Sequence, residues 1–307
     1  MASSDEGKSL EFQFHPVKDD SAFRTQNRTG EIQRAHIIDD DISGLLVQAD
    51  LNTVAHGHNT KGPATLIEIM FRFIGLGSKR RFRRVQISIH FEDEKKRASQ
   101  DPEVVGLWPD GDYTLSTTEG TAEETRSGAL TISPGFSGFG GTIGATLNWT
   151  KERRTSHATK DRTYIVGTKR IEGRNWGKKN AVRLDHFENE TQKSGIITEL
   201  RTGILLNRSS DDRFLAHVVV DATADWVYST QQVIQRLLRT SLDNDPVIFD
   251  PTTAAVLNSR VKDIDPRRLD KGFVALSKVL STNPLPTPTE ATTSEAGSGN
   301  NGSVSPA

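Results

Sequence analysis

From Arg84 to Phe91 the chain reads Arg-Val-Gln-Ile-Ser-Ile-His-Phe, and every second residue is apolar. A period of two puts Val85, Ile87, Ile89 and Phe91 on one side of an extended strand and Arg84, Gln86, Ser88 and His90 on the other. The same style recurs at short intervals, over Tyr113 to Thr117, Gly128 to Ser133, Gly141 to Lys151, Arg162 to Arg170, Ala181 to Phe187, Ile196 to Leu206 and Phe214 to Ala222. Short strands separated by Gly, Asn and Asp predict a mainly β fold, an antiparallel sandwich or barrel-like domain closed by hairpins, rather than a parallel sheet with crossover helices.

Other segments refine this expectation. Thr65 to Ile74 is rich in β-branched and aromatic residues, and Gly75-Leu-Gly-Ser78 follows it, so this stretch and the strand at Arg84 are read as a hairpin. Pro109-Asp-Gly-Asp112 is a turn, because proline pre-sets the first dihedral and Gly111 tolerates positive φ. Val233, Leu237 and Leu238 suggest a short helix within Ser229 to Leu242. A second helix is expected after Asp265-Pro266, where an N-cap acid precedes a proline and Leu269, Phe273, Leu276 and Leu280 then share a side. The predicted organisation is an N-terminal segment over 1–50, partly ordered, with Leu10, Phe12 and Phe14 as an edge strand. A β-sandwich over 51–245 follows, then a C-terminal helical extension over 246–282 packed on the sheet. Residues 283–307, rich in Pro, Thr, Ser, Gly and Asn, are expected to be disordered, since they have too little apolar surface to offset chain entropy.

Composition narrows the chemistry. The chain has no cysteine, which removes disulfides, thiolate nucleophiles and thiolate zinc sites. With 39 basic and 40 acidic side chains there is no net field to draw it to nucleic acid or an anionic membrane. Met1 to Lys8 lacks a basic region followed by an apolar stretch, so a cytoplasmic location is expected, with the nucleus as the alternative. The most apolar run, Leu66 to Leu76, carries Glu68 and Arg72 and is too short to span a bilayer as a helix, so no integral membrane association is expected.

Several clusters invite functional readings. Lys79, Arg80, Arg81, Arg83 and Arg84, with Phe82 among them, are a candidate anion or partner site, because phosphates need closely spaced cations and an aromatic ring can stack on a base. The bland reading is a hairpin tip whose charges keep the sheet edge from pairing with other chains. Lys95, Lys96 and Arg97, and Lys151, Arg153 and Arg154, would join this patch only if the fold gathers them. Asp39-Asp-Asp41, and Asp110 with Asp112, offer hard oxygen ligands for calcium at loop tips, but Asp residues cap turns far more often. His56 and His58 lie two apart in what reads as a surface loop and lack a third ligand. Gly135 to Gly141 fails the spacing of both the nucleophile elbow and the dinucleotide fingerprint. Trp108, Trp149, Trp176 and Trp226 are read as core or edge packing.

The stretch Arg183-Leu-Asp-His-Phe-Glu-Asn-Glu-Thr-Gln-Lys-Ser-Gly-Ile-Ile197, followed by Gly203-Ile-Leu-Leu-Asn-Arg208 and the strand at Phe214, resembles a pattern in uncharacterised fungal β-rich proteins over roughly residues 65–250. That group has no assigned activity, so the resemblance implies a β-rich fold and transfers no site residue.

No catalytic set, metal site or cofactor is expected, and the first functional expectation is a non-catalytic β-sandwich that binds a protein or a surface. A nucleic-acid or nuclear role for Lys79 to Arg84 is the second. The third is action at a membrane, either as a calcium-dependent lipid-binding sandwich or through Gly128 to Arg170 unfolding into an amphipathic hairpin. The alternation that lipid-facing strands need is poor in that segment.

Overall fold

The computed structural model describes residues 25–41, 44–76, 80–118, 146–151, 163–189, 193, 195–228, 232–239, 244–254, 256–257, 261 and 264–281. The strands are β1 (His36–Asp41), β2 (Leu45–Asn59), β3 (Gly62–Gly75), β4 (Arg80–Asp93), β5 (Glu103–Trp108), β6 (Gly111–Thr118), β7 (Thr146–Lys151), β8 (Thr163–Arg170), β9 (Ala181–Phe187), β10 (Glu199–Asn207), β11 (Phe214–Tyr228), β12 (Gln232–Arg239), β13 (Val247–Phe249) and β14 (Val256–Leu257). One helix, α1 (Leu269–Ser281), follows. Two antiparallel sheets form. The six-stranded sheet runs β1-β2-β3-β10-β5 with β14 added to β2, and the eight-stranded sheet runs β12-β11-β4-β9-β8-β6-β7 with β13 added to β11.

The main core lies between the sheets and is made by the alternating residues read from sequence. Val85, Ile87, Ile89 and Phe91 of β4 meet Phe71 and Phe73 of β3 and Phe214 to Ala224 of β11 in one buried cluster. A second cluster covers the outer side of the six-stranded sheet, where Ala55, Ala64, Leu66, Trp108 and Leu205 pack beneath Leu269, Leu276 and Leu280 of α1. The helix therefore covers the outer side of this sheet. Its seat depends on Gly106, where a Cβ would run into the Phe273 ring at 2.9 Å. Trp108 closes the seat by donating from Nε1 to the Ser277 carbonyl at 2.6 Å.

Three expectations are corrected. β3 and β4 belong to different sheets, so residues after Gly75 cross from one layer to the other instead of turning a hairpin. Burial on both faces, by β4 on one side and α1 on the other, explains why β3 reads as a nearly continuous apolar run. The stretch read as a short helix within Ser229 to Leu242 contains strand β12, which pairs with β11 from Asp221–Arg239 to Tyr228–Gln232. Val233 and Ile234 are β-branched, and an eight-residue segment beside an open strand edge gains more from the ladder than from two helical turns. The segment Ala55 to Pro63 is the tight end of the β2–β3 pair, closed from Asn59 to Gly62, rather than a loose loop. Residues 1–24, 119–145, 152–162 and 282–307, with the readings made on them, lie outside the described residues. Strand order begins at His36, within the stretch read as the N-terminal segment.

Candidate functional site: the charged end of the eight-stranded sheet

Register places the candidate basic residues at one end of the molecule. Arg84 pairs with Phe187, Phe187 with Tyr164, and Tyr164 with Thr114, so these four strands form a row. Moving along β4 from Arg84 to Arg80 is moving along β6 from Thr114 to Thr118. Arg80 and the point where β6 ends therefore share a sheet end, about 14 Å apart at the usual strand spacing. Leu76, 51% exposed, lies at this end too.

The cations there are largely engaged with acids of their own chain. Glu188, only 3% exposed, accepts from Arg81 Nε and Arg83 Nε at 2.9 Å each, and from the Gly195 N–H at 3.1 Å. Asp225 accepts from Arg81 Nη2 at 2.6 Å and faces Arg83 Nη1 at 3.7 Å. Two guanidiniums and two carboxylates thus brace β4, β11 and the chain after β9. Phe82 points inward, 3% exposed, and sits edge-on to Phe73. Arg84 pairs with Asp185 at 3.1 Å and lies over the Phe187 ring, which stacks in turn on Tyr164 at 4.6 Å. Arg80 packs over Gly44, where any Cβ would collide with its guanidinium. Lys79 lies outside the described residues. Charge–acid pairing, rather than a row of open cations, is what this end presents.

The remaining candidates are dispersed. Lys95 and Arg97 stand at the far end of β4, paired with Asp212 and with Asp93 and Asp212 respectively. Asp39, Asp40 and Asp41 lie along edge strand β1 and not at a loop tip. Asp39 accepts from Gln48 and Asp41 from the Gly44 N–H. Asp40 faces inward, where burial, with Asp39 beside it, pushes its carboxyl up to about 6. Asp110 pairs with Lys169 at 2.8 Å beside the cis Trp108–Pro109 bond, and Gly111 takes the expected positive φ of 99°. Both ring nitrogens of His56 are occupied, by Gln33 Nε2 at 2.7 Å and Thr65 Oγ1 at 2.9 Å, which leaves none for a metal. Among the described residues, no group of three or more His, Cys, Asp or Glu could hold a metal ion.

Two features escaped the sequence reading. Trp176 is 58% exposed on the loop after β8 and stacks against Arg174 at 5.6 Å, so it packs neither core nor sheet edge. His186 is fully buried, although it sits in an alternating strand whose pattern places it on the apolar side with Val182 and Leu184.

No family model matches the chain, and no curated protein does. Among solved structures it is similar to Clostridium perfringens delta-toxin, at 8% identity and a TM-score of 0.22, over 66% of this chain and 95% of that one. It is also similar to the Clostridium perfringens NetB toxin in its membrane-inserted form, at 10% identity and a TM-score of 0.22, over 63% and 92%. Likeness at that level establishes neither fold nor function. No described helix is long and apolar enough to cross a membrane, which says nothing of strands.

Proposed function

We propose that the chain is a non-catalytic β-sandwich that acts at a membrane, and that the segment between β6 and β8 enters the bilayer as a β-hairpin. The observation that carries this reading joins strand register to charge pattern. From Ser127 to Thr150 there are 24 residues without Asp, Glu, Lys or Arg, the longest such run in a chain that is 26% charged. Glu123, Glu124 and Arg126 stand before it, and Lys151, Glu152, Arg153 and Arg154 after it. Independently, β6 and β8 pair with Gly111 opposite Gly167 and Leu115 opposite Thr163. If that register were continued past Thr118, the turn would fall at Phe139, in Ser137-Gly-Phe-Gly140. The charge-free run is centred between Gly138 and Phe139.

The two arms have the dimensions a bilayer demands. Ser127 to Phe136 and Gly141 to Thr150 each match the 9 to 11 residues of a tilted membrane strand. With a shift of one residue from the β6–β8 register, Gly128, Leu130, Ile132, Pro134 and Phe136 fall on the same face as Ile143, Ala145, Leu147 and Trp149. Shifts of this kind already occur in four strand pairs among the described residues. The opposite face then carries only Ser, Thr, Gly, Ala and Asn, which suits a water-filled lumen. Phe136 and Phe139 at the tip and Trp149 at the far end match the aromatic girdles of membrane strands. Pro134 lies close to the tip, where a missing N–H costs the ladder least.

Dye release from sealed vesicles tests the reading. The purified full-length chain is expected to release an entrapped dye from vesicles, and Leu147→Asp, a charge on the lipid face, to suppress release without changing the circular dichroism. Retention of dye by vesicles of neutral and anionic composition alike would sink the proposal.

A further inference from the structure

We propose that His186 is an acid sensor built into the core of the eight-stranded sheet, and that its protonation loosens the packing of β9 between β4 and β8. The inference stands on the position of the ring and does not rest on the membrane reading. His186 faces Val85 on one neighbouring strand and Ile165 on the other. Both are fully buried, as is the imidazole itself. Among the described residues Nδ1 has no hydrogen-bond partner, and Nε2 meets only the Ile197 N–H, at 3.5 Å. No acceptor among the described residues is placed to receive a second proton. An imidazolium here would be a desolvated cation whose N–H groups bond to nothing, so the side chain can be charged only if the packing opens.

The charged groups on the inner side of the sheets do not relieve this. Glu188 is two residues further along the chain, but its carboxylate is taken by Arg81, Arg83 and the Gly195 N–H. Asp40 belongs to edge strand β1 of the other sheet. Val85, Ile165 and Leu184 bring no charge, and the loop at Ile197 brings a backbone N–H that favours the neutral ring. Burial accordingly pushes the imidazole down to about 3.

The sign of the pH effect follows. In the unfolded chain the ring titrates near its ordinary 6.5, so between 6.5 and about 3 the unfolded state binds one more proton at this position. Stability from His186 is complete above pH 6.5 and declines as the pH falls, and the unfolding equilibrium constant rises tenfold per pH unit. His56, pushed down to about 4, and His90, also lowered by burial, act in the same direction. Asp40 acts in the opposite one, since its raised carboxyl gains a proton more readily in the folded chain. Their summed background is shared by wild type and by a His186 variant.

The experiment is urea unfolding of the full chain at a series of pH values from 7.5 down to about 4.5, for wild type and His186→Leu. The logarithm of the unfolding constant is expected to rise more steeply with acid in wild type, by about one proton below pH 6, and the variant to lose that increment. Equal slopes would overturn the proposal, whatever the variant does to stability at pH 7.5. If His186→Leu does not fold, His186→Gln serves for the same comparison. Carbon-13 NMR of the wild-type histidine Cε1 gives a second readout: a neutral ring at pH 5 in the folded chain supports the sensor, and titration near 6.5 removes it.

Discussion

At the scale of single residues, the basic run from Lys79 to Arg84 shows how far a linear motif can mislead. Six consecutive residues read as one patch, yet the strand pleat and an irregularity between Thr223 and Ala224 send Phe82 into the core and turn Arg81 and Arg83 toward Glu188 and Asp225. Those acids lie over 100 residues away in sequence, and no local pattern announces them. Glu188→Gln is therefore expected to destabilise the chain by about 2 to 4 kcal/mol in urea unfolding, because two guanidiniums lose a shared buried carboxylate. Arg84→Ala should cost about 1 kcal/mol or less, since its pair with Asp185 is half in solvent. Comparable losses for the two variants would show that the brace at Glu188 is not special. Asp40 supplies a contrast of sign. Its carboxyl is raised by burial, so its contribution to stability is fully present below the ordinary 3.8 and is lost as the pH rises through about 6. Asp40→Asn should thus stabilise the chain at pH 7.5, by on the order of 1 kcal/mol, and be neutral near pH 4. A destabilised variant at pH 7.5 would mean that the ionised carboxylate is held by something it usefully bonds.

Among the elements, alternation made β4, β9 and β11 legible because each buries one face only. β3, covered on both faces, shows no period of two, so its β-branched and aromatic content marks it as a strand but not its partner, and the three apolar residues that suggest a helix within Ser229 to Leu242 fall on strand β12. The pairing of β3 with β10 and of β4 with β9 and β11 was not legible, because a short glycine connection serves a hairpin and a crossing between layers equally well. In the segment proposed to enter the membrane, the apolar residues are even-numbered from Gly128 to Phe136 and odd-numbered from Ile143 to Trp149, so alternation read across the whole stretch is poor, and the proposed hairpin needs the change of parity to fall at its turn. The described structure holds part of the second arm elsewhere: β7 pairs with β6, with Trp149 opposite Leu115. A hairpin that sets Trp149 near Gly128 requires β7 to leave that place. In a chain without cysteine, Leu115→Cys with Trp149→Cys should form a disulfide across adjacent strands, whose Cβ spacing is close to what the bond needs. Oxidised, the double variant is expected to leave vesicles intact, and reduction should restore dye release. Release undiminished by the crosslink would place insertion elsewhere in the chain.

For the whole molecule, the expectation of no integral membrane association rested on the lack of a long apolar helix, a test that strands do not have to pass. A hairpin supplies only two strands, and two strands in lipid leave unpaired N–H and C=O groups along both edges. Closure removes those edges, and the smallest membrane barrels have about eight strands, so at least about four copies must combine. Dye release should then rise steeply with protein concentration, with an apparent order well above one. The character of the opening follows from the second face of the hairpin. Ser127, Thr131 and Ser133 on one arm, and Thr142, Thr146 and Asn148 on the other, would line the lumen without a single charge. Selectivity between ions of opposite sign needs rings of charged side chains, and the net charge of −1 over the whole chain adds no strong field at the mouth. Channels formed in a planar bilayer are accordingly expected to pass potassium and chloride with a permeability ratio near one, and Thr146→Glu to make them cation-selective. Strong selectivity in the wild-type channel would mean that charged residues outside Ser127 to Thr150 line the pore, and the assignment of the two faces would be lost.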